Sequence, residues 1–134
     1  MLQKIYTSFV LVFILIAQSV FAQSYQIDDY DGQVVTTCSG TFYDSRVGTS
    51  DYFNDEEYSV TFCSGSSDVM RFVINPQENA SGYAIASGDT LKVYDGTGTT
   101  GALLATYTSA NDPGSNAIVL ISPSSCVTFD WKSD

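Results

Sequence analysis

Beyond Gln23 no stretch of the chain repeats its apolar residues at helical spacing; they come in short bursts instead. The bursts are GQVVTTC, EYSVTFC, DVMRFVIN, DTLKVYDG, ALLATY, NAIVLIS and CVTFDW. Each has strand length and is rich in Val, Ile, Thr, Tyr or Phe, residues that suit a pleated, half-buried surface. Between them lie turn formers: YDSRVGTSD, SGSSD, NASG, DGTGTTG and NDPGSN. In several bursts one parity is apolar and the other is not. Met70, Phe72 and Ile74 form one such set, Leu91 and Val93 another, and Val127, Phe129 and Trp131 a third. Side chains two apart share a face of a strand, so these sets are the predicted core. Short strands at this spacing predict an all-β fold, an antiparallel β-sandwich. No internal repeat and no linker divides the chain after Gln23. Residues 23–37 read as a lead-in whose Val34 and Val35 add an edge strand.

The first 22 residues have a different pattern. Lys4 precedes the apolar run FVLVFILIA, and Val20-Phe21-Ala22 presents small residues where a signal peptidase reads. The run is shorter than the roughly 20 residues that span a bilayer. The expectation is a signal peptide over 1–22, cleavage before Gln23, and a secreted or cell-surface protein with no membrane insertion once the signal is removed. The chain of 134 residues carries 15 acids against 5 bases and has no histidine, a formal net charge of −10. That excess argues against nucleic acid and anionic membranes as partners, since both need a basic face.

An oxidising compartment makes cysteine pairing relevant. Cys38 and Cys63 each close a strand-like burst and flank one acidic loop, which makes them the expected disulfide. Cys126 is then left over, on the polar parity of its burst with Thr128, Asp130 and Lys132. The sequence also stops directly after that burst, with no element to cover its edge. Both points lead to the expectation that the chain is an amino-terminal piece of a longer protein.

DTLKVYDGTGTTGALLATY resembles the central signature of CUB domains, in which an acid and alternating apolar residues lead into an Asp-Gly turn; Asp89, Leu91, Val93, Asp95 and Gly96 fit it in order. CSGTFYDS is similar to the family's opening Cys-x-Gly, and Cys63 stands where the second cysteine of the first bridge belongs. NDPGSNAIVLISPSSCVTFDWKSD resembles the stretch whose alternating strand ends in Ser-Asp, here Ser133 and Asp134. The likeness covers residues 38–134. It departs from animal CUB domains in lacking the second bridge and in reducing the paired Tyr-Pro motifs to Asp51-Tyr52-Phe53 and Asp55-Glu56-Glu57. In this it looks like the CUB-like modules of secreted bacterial proteins, which end with one more strand, often carrying a cysteine. The resemblance implies a CUB-like jelly-roll, incomplete at its C-terminus, that recognises a protein or carbohydrate as part of a larger adhesin-type or cell-surface protein. An accessory domain of a secreted enzyme such as a peptidase is the alternative.

Without histidine, Ser-His-Asp and Cys-His machinery and histidine zinc sites are excluded from this chain. Three cysteines cannot form a four-thiolate zinc site. Glu56, Glu57 and Glu78 would supply a glycosidase pair, but each lies in a polar loop where a solvated carboxylate is the ordinary explanation, so no catalysis is expected. DGTGTTG leads to no helix and has no lysine beside it, so it reads as a hairpin loop rather than a phosphate loop. Asn79-Ala80-Ser81 matches a glycosylation acceptor, a chance match in a bacterial-looking protein. Tyrosines fall in or beside the loops, and around the acidic loop they form a candidate recognition surface; Tyr52, Asp55 and Glu56 are the expected ligand-binding residues. Asp95 is explained by its Asp-Gly turn alone. Asp89 is not, and the resemblance implies a role for it: matching positions in calcium-binding CUB domains hold the ion together with an upstream glutamate. The corresponding set is Asp89, Asp134 and Glu78, although Glu78 lies three residues further from Asp89 than the family spacing. Calcium takes six to eight oxygens, which carboxylates, backbone carbonyls and water can supply.

Overall fold

A computed structural model describes residues 23–45, 52–74, 85–111 and 118–134. The signal-like segment, Glu78 and the Asn79 acceptor lie outside the described residues.

The described chain is all β, in the order β1 (Ser24–Gln26), β2 (Val34–Thr36), β3 (Thr41–Tyr43), β4 (Glu57–Cys63), β5 (Arg71–Ile74), β6 (Thr90–Asp95), β7 (Leu103–Tyr107), β8 (Ile118–Ile121) and β9 (Cys126–Lys132). Five strands make the main sheet in the order β2-β4-β9-β6-β7, while β1-β3 and β5-β8 form two further pairs. The register aligns Val60 and Val93 on either side of Phe129, and Tyr58 and Leu91 on either side of Trp131, so the alternating sets meet on one face of the main sheet. The small pairs close over that face. Phe72 of β5 and Phe42 of β3 lie 5.1 and 5.0 Å from the Phe129 ring, and Tyr25 of β1 lies 5.2 Å from Phe62, centroid to centroid. Val60, Phe62, Val93, Val127 and Phe129 are each at most 2% exposed between the two layers. The result is a sandwich built on the predicted core parities.

Three expectations change. The edge strand expected at Val34 and Val35 is present as β2, at the border of the main sheet, but the rest of the lead-in also belongs to the sandwich: β1 pairs parallel with β3, as β2 does with β4, and Tyr25 and Ile27 are buried in the core. Within the expected all-β sandwich the main sheet is therefore mixed, antiparallel except for β2, and the β1–β3 pair is parallel. Second, the disulfide joins Cys63 to Cys126, not Cys38 to Cys63. β4 and β9 are antiparallel neighbours whose register ends with Cys63 opposite Cys126, with Cα atoms 4.1 Å apart. Thr36 is already level with Cys63, so Cys38 lies past the end of β2 as an exposed free thiol. Third, β9 is not an uncovered edge, since β4 and β6 pair with its two sides.

The outer face of the main sheet contains a polar knot. Thr128 is fully buried although it sits on the polar parity of β9. Its hydroxyl donates to the Gly96 carbonyl at 2.9 Å and receives the Gly98 N–H at 2.8 Å, and it lies 2.8 Å from the Thr61 hydroxyl. The β6–β7 loop is thereby tied down onto the centre of the sheet. Asp95 also does more than turn the chain. It accepts hydrogen bonds from the Ser122 hydroxyl and, at 3.0 Å, from the Ser124 N–H, joining that loop to the β8–β9 connection. These donors favour the ionised carboxylate and hold its pKa below the ordinary aspartate value, with the Ser122 hydroxyl the largest contributor.

Candidate ligand and cation site

The site is built where β6 begins and β9 ends. Thr90 and Glu57 both stand level with Lys132, so one residue further along the ladder Ser133 lies between Asp89 and Glu56. Its N–H donates to the Glu56 carbonyl at 2.9 Å, its hydroxyl donates to the Phe53 carbonyl at 2.8 Å, and it receives the Glu56 N–H at 2.9 Å. Ser133 is 4% exposed and acts as the hub that fixes residues 53–56 to the end of β9.

Asp89 is 3% exposed. Its Oδ1 accepts the Asp134 N–H at 2.9 Å, and its Oδ2 accepts the Tyr52 hydroxyl proton. The Tyr52 oxygen in turn receives the Ala86 N–H at 2.8 Å, while its ring packs edge-on against Trp131 at 4.5 Å. Tyr52 thus links the 52–56 loop to the turn before β6. Gly88 makes the close approach of the two aspartates possible. Its φ of +104° disfavours any L side chain, and a Cβ there would fall 1.9 Å from Asp134 Oδ2.

The structure therefore brings Asp89 and Asp134 together, with Tyr52 bonded to the first and the Asp134 carboxylate lying against Gly88. Asp55 is exposed and holds a left-handed φ of 60°, a conformation aspartate tolerates better than most residues. Glu56 is turned inward at 6% exposure, with Oε2 receiving the Ser45 hydroxyl proton at 2.7 Å, so it braces the loop from within. Nearby Tyr58 has its pKa raised, first by burial and then by the charges of Glu56, Asp28 and Asp31. The negative charge at this end of the molecule is felt across several elements.

No protein-family model matches the chain. No curated protein matches it either. What the site can do therefore rests on its own geometry.

Among the described residues no group of three or more His, Cys, Asp or Glu side chains is placed to hold a metal ion. Asp89 and Asp134 supply two carboxylates, hard oxygen donors of the kind calcium takes. Both Asp89 oxygens already accept a proton donor, yet a carboxylate oxygen has a second lone pair for a cation. The pair fits part of a calcium shell. Sequence reasoning did not find Ser133, Ser45 or Gly88 as parts of this site. The signal available for Gly88 was a glycine before an aspartate at a strand start; for Ser133 only the pairing of β9 with both β4 and β6 reveals the role.

Proposed function

We propose that the chain is a secreted or cell-surface CUB-like binding module that recognises a protein or a glycan as part of a larger adhesin-type or cell-surface protein. In this reading a calcium ion organises the end of the sandwich that carries the 52–56 loop. The observation that supports it is the convergence of buried Asp89 and exposed Asp134, 45 residues apart in sequence, at one corner of the sandwich whose 52–56 loop exposes Asp55 and Phe53. Calcium takes hard oxygen donors, and the two aspartates joined here offer carboxylates of that kind at one corner. Tyr52 and Ser133 connect the same corner to the loop, so a cation bound there would fix the surface that meets the ligand. Asp55 supplies charge and Phe53 an apolar ring on that surface.

Calorimetric titration of the exported protein with calcium chloride tests the first half: heat of binding is expected, and Asp89→Asn should abolish it. Screening the same protein on a glycan array and on immobilised extracellular proteins tests the second half, with and without a chelator. Binding that needs calcium and is lost in Asp55→Ala supports the reading. Absence of calcium heat from the parent protein, or ligand binding indifferent to both the chelator and Asp55, overturns it.

A further inference from the structure

We draw no further inference here: the strongest candidate, the exposed apolar face of the β5–β8 pair, where Val73 stands opposite Val119 and Ile121 lies two pairs further along, carries nothing because nothing in the structure shows what covers it.

Discussion

Replacing Cys126 with serine in a Cys38→Ser background tests the β4–β9 register and the disulfide it creates. The bond joins residues 63 apart in sequence. Loop-closure entropy for a ring of that size gives about 4 kcal/mol of stabilisation, acting by restricting the unfolded chain. For a domain near 100 residues that is a fall in melting temperature of roughly 15 °C or more. Cys38→Ser alone should leave stability within about 0.5 kcal/mol of the parent, because an exposed free thiol constrains nothing. Urea unfolding can be followed through the fluorescence of Trp131, the single tryptophan. The double variant should unfold at lower urea, with a steeper slope from its more expanded denatured state. Reductant should bring the parent close to the double variant and leave the double variant unchanged. The opposite pattern would refute the reasoning: a large loss from Cys38→Ser, with no additional loss on removing Cys126, would mean that Cys38 holds the bond and that β4 and β9 are out of register.

Other substitutions probe the candidate site and the polar knots. Asp89→Ala leaves the Tyr52 hydroxyl and the Asp134 N–H without their acceptor, and should cost about 1–3 kcal/mol in denaturant unfolding; an unchanged midpoint would show that the corner does not hold the turn. Gly88→Ala forces a methyl into the Asp134 carboxylate at a left-handed φ, so a loss of about 1–3 kcal/mol is expected, and a neutral result would place Asp134 elsewhere. Thr128→Val keeps the shape but orphans the Gly98 N–H, for a cost of about 1–3 kcal/mol and faster amide exchange at Gly98. Because the folded pKa of Asp95 lies below its unfolded value of about 4, its contribution is complete above that pH and is lost as pH falls through the folded value. Melting temperature between pH 2 and 6 should therefore fall less steeply on acidification in Asp95→Asn than in the parent. Asp130 runs the other way: burial is the main cause of its raised pKa, so Asp130→Asn should remove a destabilisation that the parent shows only above the unfolded pKa.

The strands that sequence revealed are those with strong alternation. EYSVTFC became β4 without a residue's error, and CVTFDW became β9 short of one. Their pattern is legible because each buries one parity and exposes or bonds the other. β1 (SYQ) and β3 (TFY) lack the β-branched pair that marks the equally short β2 (VVT), and their place depends on pairing with each other. The disulfide was misread for a related reason. Order along the chain suggested Cys38 for Cys63, whereas the partner is set by which strand lies beside β4, a non-local fact. In the candidate site, Asp89 and Asp134 stand out in the sequence by their place at strand ends, while the bond that joins them depends on β6 and β9 being neighbours. Glu56 was legible as an acid but not as an inward-facing one. Its direction depends on the Ser45 hydroxyl and on Ser133, which approach it from distant parts of the chain.

The position of β9 also determines the order of assembly. Before residues 126–132 leave the ribosome, β2 can pair with β4 and β6 with β7, but the two halves have no strand to join them. Val60 and Phe62 on one half, and Val93 on the other, then lack the neighbours that bury them. Every strand from β2 to β9 must be present before the main sheet can exist, so its formation is dominated by long-range pairing and slow for a domain of this size. Until β9 is in place the two halves expose Val60, Phe62 and Val93, an open state prone to association with other chains.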